Sequence, residues 1–494
     1  MHRNQSPGVS AMSAYVPPFR VDLRDWCDWT GHSWDKIQAV VGESFRVPGR
    51  HENVYTMAAN AVLRLIQNNA IDPARVGFLG FGTESSTCNS AGAVIVRGIV
   101  DRGLDTLGLP RLSRYCEVPE FKHACLGGIY ALKAAARYAC CDGDDRLAIV
   151  VCGDVAEYER GSSGEQTQGA GAVAMLVERD AKMFAIDLAH AGSASDYRGP
   201  DFRKPHVRHS DIAYAAQTQR RHDFPIFNGR YSTYAYLDET VHAVEEMLRR
   251  LDVSAGSYYH SVRRLFFHRP YEMMPVQAMS FLYVRGMARG DHYREELRKL
   301  CLEADVQQAD VENEANSAPD LYARVSAEGS EVADPYAATS AVARQLRKRP
   351  EFRELLQRKM SLGANTVRDL GNLYSAALPA WLAAGLEEAA TEGLDLTGDP
   401  MVAIGYGSGD AAESIPFTTV PGWEAAALRI RIAESLTGAI DLDREQYEAL
   451  HDGRDTPDLH YAPRGEFVIS HVGSNYGPAF QDLGVEYYQY VNAS

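Results

Sequence analysis

Cys125 stands in the run His-Ala-Cys-Leu-Gly-Gly-Ile-Tyr-Ala-Leu-Lys-Ala-Ala-Ala-Arg-Tyr-Ala. A cysteine followed by a glycine pair and an alanine-rich stretch places a thiol at or just before a helix N-terminus. There, unpaired backbone N–H groups and the helix dipole favour a negative charge. The expectation is a thiol that loses its proton easily and acts as the thiolate nucleophile. Such a group can carry an acyl chain on sulfur, and the Gly and Ala positions let the helix approach neighbouring backbone closely. Three further signals sit where α/β folds place reactive groups, after apolar strands or at helix starts. They are Glu84 in Gly-Phe-Gly-Thr-Glu-Ser-Ser, His268 in Leu-Phe-Phe-His-Arg-Pro, and Asn372 in Gly-Asn-Leu-Tyr-Ser. Taken singly each has an ordinary reading: a solvated turn, a structural histidine, a helix N-cap.

The elements that would position these groups alternate along the chain. Gly8 to Val21 reads as a strand with a Pro-Pro turn, after a loose tail of seven residues. A helix follows at 53–67, with Met57, Ala58, Val62, Leu63 and Ile66 on one face. Continuous apolar runs at 76–81, 147–152 and 172–177 read as buried strands, the first delivering Glu84 from its carboxyl end. The pattern returns with a helix at 240–251, runs at 264–267 and 402–406, a helix at 372–384, and strand-like pieces at 466–471 and 485–491. Continuous apolar strands alternating with helices predict a mostly parallel sheet covered on both faces. Two α/β halves are expected, 8–180 and 181–494. Between them 193–230 looks irregular and rich in Arg, His and Tyr, and 304–335 looks like an acidic surface insertion.

Composition narrows the function. In 494 residues a net charge of −16 argues against nucleic acid as the main partner. No run of about 18 apolar residues is present, so no membrane span is expected. The eight cysteines show no paired spacing, which predicts reduced thiols, neither a zinc site nor a disulfide framework, and a cytoplasmic setting. Cys152, inside an apolar run, reads as a small core hydrophobe, and Met273, Met274 and Met279 as core filler. Tyr-Gly-Ser-Gly at 406–409 lacks phosphate-cradle spacing, so a nucleotide site is rejected.

Taken together and in order, these signals resemble the 3-hydroxy-3-methylglutaryl-CoA synthases of the thiolase superfamily. The resemblance spans nearly the whole chain. It rests on Gly82-Thr-Glu-Ser, Ala124-Cys-Leu-Gly-Gly, Val151-Cys-Gly-Asp-Val-Ala-Glu-Tyr, Gly169-Ala-Gly-Ala-Val-Ala-Met-Leu, Asp201-Phe-Arg-Lys-Pro, Phe267-His-Arg-Pro, Gly371-Asn-Leu-Tyr and Tyr406-Gly-Ser-Gly. It implies a thiolase-like fold: two similar βαβ-type halves whose mixed sheets form a layered αβαβα core. It implies Cys125 as acyl-carrying nucleophile, Glu84 as general acid/base, His268 polarising the acceptor thioester, and Asn372 assisting at the oxyanion. Asp154, Tyr158, Asp201, Phe202, Tyr374, Tyr406 and Ser408 match positions that line the family's pocket. Acetyl-CoA or another acyl-CoA would be substrate, no cofactor would be permanently bound, and the chain would pair as a homodimer.

A degradative thiolase would need a second cysteine near the C-terminus, and none follows Cys301. A ketoacyl synthase would not need Glu84. A non-catalytic relative would be expected to lose the nucleophile. The departures are Leu126 where the family has an aromatic residue, and Met273 beside Glu272 where it often has a CoA-phosphate lysine. These leave open an acceptor held on an acyl carrier protein. Arg203, Lys204, His206, Arg208, His209, Arg220, Arg221 and His222 form a basic segment, and Arg263, Arg264 and Arg269 flank His268. Lys204 and Arg269 in particular are expected near the substrate mouth, where cations would hold CoA phosphates or an acidic carrier.

Overall fold

The computed structural model describes residues 7–204, 206, 224–290, 293–454, 456 and 459–493. Of the predicted basic segment, Arg208, His209, Arg220, Arg221 and His222 lie outside the described residues.

Among the described residues there are fifteen strands. Those built from the apolar runs 76–81, 147–152 and 172–177 are buried along nearly their whole length, as expected where helices cover both faces, whereas Glu466–Val472 and Glu486–Val491 are half-buried or exposed over much of theirs. In chain order they are β1 (Gly8–Tyr15), β2 (Phe19–Asp22), β3 (Ser44–Val47), β4 (Val76–Gly82) and β5 (Glu120–Phe121). There follow β6 (Leu147–Ala156), β7 (Gly169–Glu178), β8 (Phe184–Ile186), β9 (Gly192–Ser195) and β10 (Arg264–Phe267). The last are β11 (Pro400–Gly407), β12 (Ala411–Thr419), β13 (Ile440–Asp441), β14 (Glu466–Val472) and β15 (Glu486–Val491). Ten of them make one mixed sheet in the order β10-β11-β12-β8-β1-β7-β6-β4-β5, with β9 paired to β12. Against the expected mostly parallel sheet, only β10–β11, β4–β5 and β4–β6 pair in parallel, and the other six pairings are antiparallel. The early strands β1, β4, β6 and β7 join the late strands β10, β11 and β12 through β8, which pairs with β1 on one side and β12 on the other.

The predicted single strand from Gly8 to Val21 is two strands in different sheets. Pro17 and Pro18 break it, and β2 leaves to pair with β3 and β13. The helix Val54–Asn68 begins on a capping box between Asn53 and Thr56, and is buried along most of its length against β1, β6 and β7. The helix Gly127–Cys141 packs on β4 and β6, and Ala377–Glu392 on β1, β10 and β11. Asn372 lies not in a helix but in the turn before a 3₁₀ segment, Tyr374–Ala376, which leads into that last helix.

The acidic stretch 304–335 is likewise more structured than expected. It contains helices Gln308–Ala315 and Leu321–Glu328, whose Val311, Ala315 and Leu321 are buried. The carboxylate of Glu314 accepts the N–H groups of Ala338 and Thr339 at 2.9 and 2.7 Å, capping the next helix. Among the described residues no helix is long and apolar enough to cross a membrane.

Candidate active site

The carboxyl ends of β4, β6, β10 and β11 converge on one cavity of about 420 Å³. Cys125, His268, Asn372, Tyr158, Phe202, Tyr374, Tyr406 and Ser408 all line it. Glu84 reaches the same place from the end of β4, with its Oε2 3.6 Å from the Cys125 Sγ. Four groups from distant parts of the chain are thus brought to one enclosure.

The approach of Glu84 to Cys125 depends on glycine. A Cβ on Gly82 would lie 2.4 Å from the Gly128 Cα, so β4 and the start of the Cys125 helix touch backbone to backbone. A Cβ on Gly128 would in turn lie 2.5 Å from the Cys152 Sγ. Ala124, immediately before the nucleophile, is held at φ +43°, and Tyr374 at φ +44°. Non-glycine residues in this region carry strain of about 1–3 kcal/mol, and such strain clusters at functional sites.

Asp154 is fully buried and does not line the cavity, contrary to the expectation that it binds substrate. Its Oδ1 accepts from Thr83 Oγ1 at 2.9 Å, the N–H groups of Glu84 and Ser85 at 2.8 Å each, and Ser85 Oγ at 2.7 Å. Its Oδ2 accepts from Ser375 N and Oγ at 2.9 and 2.5 Å. One carboxylate therefore ties the Glu84 turn to the Asn372–Ser375 turn. Thr83 and Ser375 belong to this site although sequence alone assigns them no role of their own; both stand inside the motifs that carry Glu84 and Asn372.

Burial, and then the neighbouring Asp154 carboxylate, push Glu84 up to about 8, against the opposing pull of Lys204. The Cys125 thiol is pushed upward, mainly by burial and next by Glu84 and Asp154. This reverses the expectation of an easily ionised thiol. The helix begins two residues later at Gly127, and desolvation with two nearby carboxylates outweighs its dipole. Burial alone pulls His268 down to about 3, so its imidazole is neutral. Its ring packs face to face against Tyr406, with centroids 6.5 Å apart, and the Tyr236 hydroxyl donates to its carbonyl at 2.9 Å.

Asn372 accepts the Tyr374 N–H on Oδ1 at 2.9 Å, which fixes the amide orientation, because an N–H must meet an oxygen. Tyr406 bonds two buried carboxylates, Asp410 at 2.9 Å and Asp201 at 3.2 Å. Asp201 therefore stands behind Tyr406 rather than on the cavity wall. Burial and then Asp201 push Asp410 up to about 10.

The predicted cations are dispersed. Lys204 lines a neighbouring cleft with Ser85 and Tyr374. Arg269 is buried on the face of Trp381 at 5.6 Å and donates to the Ala364 carbonyl at 3.0 Å, so it has a packing role. Arg263 and Arg264 sit at the other end of β10 from His268. The sequence also missed much of the apolar wall: Val40, Val41, Phe227, Tyr236 and Tyr271 line the cavity. Met274 and Met279 are both in the core, as expected, and Met274 also lines the cavity. Cys152 is fully buried, as expected.

Comparison with known proteins agrees with this geometry. Residues 3–182 match the family model described as hydroxymethylglutaryl-coenzyme A synthase N terminal. The chain is 26% identical to a hydroxymethylglutaryl-CoA synthase of Haloferax volcanii over 452 residues, covering 90% of this chain and 91% of that one. It is 23% identical to the Saccharomyces cerevisiae enzyme over 493 residues, covering 96% and 87%. Its fold matches MvaS in complex with 3-hydroxy-3-methylglutaryl coenzyme A, with a TM-score of 0.75 at 24% identity, over 99% of this chain and 100% of that one. It also matches the HMG synthase of the curacin biosynthetic pathway in complex with holo donor-ACP, with a TM-score of 0.69 at 21% identity, over 99% and 100%.

Proposed function

The chain belongs with the hydroxymethylglutaryl-CoA synthases, sharing their thiolase-like fold and condensing function, and from that premise we propose a site-by-site reaction. Cys125 attacks an acyl-CoA thioester, passing its proton to the ionised form of Glu84, and CoA leaves as the thiol with that proton. Glu84 then removes an α-proton from the acyl group on sulfur. The resulting enolate attacks the β-keto carbon of a β-ketoacyl thioester, and Glu84 returns the proton to the new alkoxide. Water finally hydrolyses the product from Cys125.

A carboxylate near 8 suits this work, because a base is most effective when its pKa lies close to the working pH. His268, neutral and buried, donates a hydrogen bond to the acceptor's thioester carbonyl without adding charge. The Asn372 amide N–H₂ serves a developing oxyanion; removing one such donor typically costs about 3–4 kcal/mol. The observation that carries the reading is the 3.6 Å approach of Glu84 to Cys125 beside His268 and Asn372. It also speaks against a non-catalytic binding subunit, which would have no use for the convergence.

Acetyl-CoA is the proposed donor. The acceptor is a β-ketoacyl group on CoA or on an acyl carrier protein; the curacin relative's complex is with a donor-ACP, so that analogy bears on delivery of the acyl donor. A cytoplasmic homodimer is the proposed state. Its support is a set of eight free cysteines, and a sheet that ends beside Cys125 at β5. Acetyl-CoA should leave an acetyl mass increment on the Cys125 peptide, and Cys125→Ala should show none; an increment elsewhere that persists in Cys125→Ala refutes the assignment. Condensation rates with acetoacetyl-CoA and an acetoacetyl carrier protein then identify the acceptor.

A further inference from the structure

A second cavity, of about 720 Å³, opens at the start of β10 and is lined by His260–Arg264 together with Leu355, Gln357–Lys359 and Ser361. Four cations face it, Arg263, Arg264, Arg358 and Lys359, and no carboxylate lines it. In a chain whose net charge is −16 such a concentration is a local reversal. The ion-pair contacts these cations make among the described residues are long: Asp399 at 3.9 Å from Arg263 and Glu354 at 4.0 Å from Arg358. Both acids stand outside the cavity wall.

The cluster is built rather than scattered. Lys359 is buried at 7% exposure, and its ammonium donates to the carbonyls of Val262 and His260, the latter at 3.3 Å. That leaves one of its three N–H bonds for another acceptor. Arg264 donates from Nη1 to the carbonyls of Arg263 and Arg358 at 3.1 and 2.8 Å, which fixes its guanidinium plane and leaves its other N–H groups unused by those bonds. Burial, followed by Arg358, Arg263 and Arg264, pulls Lys359 down to about 8. Like charges held together around a buried ammonium lack an internal counter-charge, and an anion would supply one.

We propose that this cavity is a binding site for a small phosphate-bearing molecule, with Arg263, Arg264, Arg358 and Lys359 as its phosphate ligands. Guanidinium groups match phosphate oxygens in pairs, and an ammonium adds a point charge. The site is separate from the thioester cavity. β10 and β11 run parallel, with Arg264 opposite Met401 and Phe267 opposite Ile404. His268 and Tyr406 emerge at one end of the pair, Arg263 and Asp399 at the other. Four residues of strand put roughly 13 Å between Arg264 and His268 along the backbone. The two cavities share no lining residue, and the CoA arm of the titration decides whether a CoA whose thioester lies on Cys125 reaches this one.

The test is calorimetric titration of the full chain with pyrophosphate, inorganic phosphate and ATP at constant ionic strength, with and without saturating CoA. The expected result is one pyrophosphate per chain, not displaced by CoA, and weakened at least tenfold in Arg263→Glu/Arg358→Glu. Both arginines are exposed and outside the condensation machinery, so the variant should retain its fold and basal activity. Tighter binding of ATP than pyrophosphate assigns a nucleotide, and equal binding assigns the phosphates alone. No saturable binding below about 1 mM, undiminished binding in the variant, or displacement by CoA each overturns the proposal.

Discussion

Replacing Glu84 with Gln should raise the reactivity of Cys125 toward a small alkylating reagent while abolishing condensation. The carboxylate and the sulfur are 3.6 Å apart, and above about pH 8 the carboxylate carries its charge. Every thiolate formed there arises beside a negative charge. Two unit charges at that separation repel by about 4.6 kcal/mol at an effective dielectric constant near 20. A third of that repulsion corresponds to a factor of about ten in thiolate population. Glutamine keeps the shape of the side chain, removes the charge, and brings an N–H donor to the sulfur. Iodoacetamide labelling of the Cys125 peptide, followed by mass spectrometry from about pH 8 to about pH 10, compares the two proteins where the effect is largest. The variant should label at least about tenfold faster, and its rate should climb with pH after the wild-type rate has levelled off. Equal or slower labelling would show that the carboxylate does not hold the thiolate population down, and the repulsion argument would then be wrong.

Other consequences follow from the same geometry. The rate of α-proton exchange on the acylated enzyme should rise with pH through about 8, because only ionised Glu84 is a base; a flat profile measured by deuterium wash-in counts against that role. Since folded Glu84 holds its proton from its ordinary 4.5 up to about 8, the native state binds more protons than the unfolded chain in that window. Its contribution to stability must therefore fall as pH rises across the window, and Glu84→Gln should remove that part of the slope in denaturant titrations. Asp154→Asn presents an N–H₂ to donors that now meet carboxylate oxygen on both sides. At about 1–3 kcal/mol per unsatisfied group, thermal unfolding should shift down measurably and condensation should collapse with it. Gly82→Ala places a methyl 2.4 Å from the Gly128 Cα, so Glu84 and Cys125 must separate; condensation should fall by about a hundredfold with Cys125 still alkylatable.

The positions of the reactive groups were legible because continuous apolar runs specify buried strands and reactive residues follow their carboxyl ends. His268 comes directly after Phe267, and Glu84 two residues after Gly82. What local sequence could not supply was tertiary environment. The run ending at Cys152 continues as strand to Ala156, so Asp154 is enclosed within β6 instead of reaching the cavity. The Cys125 thiol was expected to be acidic from its helix, but carboxylates 29 and 41 residues away in sequence surround it. Arg263 and Arg264 flank His268 only in order; extended backbone carries them to the opposite end of the sheet. Arg269 adjoins His268 yet turns away to cover Trp381. Charge dominates the composition of 304–335 and makes it look like a surface insertion, while three buried apolar positions are enough to dock two helices.

The environment also explains why such a site can wait for substrate without cost. At neutral pH, with Glu84 protonated, the thiol un-ionised and His268 neutral, the groups facing the substrate carry little charge. Burying charges without partners is expensive, and a cavity of mostly neutral groups avoids that penalty. In the proposed reaction charge then develops on substrate, first at the thioester oxygen, next on the enolate, and last on the alkoxide. Hydrogen-bond donors fixed beforehand favour these charges most strongly where water is scarce. Asp154 bears the cost of keeping that arrangement in place. Its buried carboxyl is held by six bonds behind Glu84, where it raises the base toward neutrality and anchors the loop that carries it. Electrostatic tuning and mechanical positioning thus rest on one side chain, so a substitution there must disturb both together.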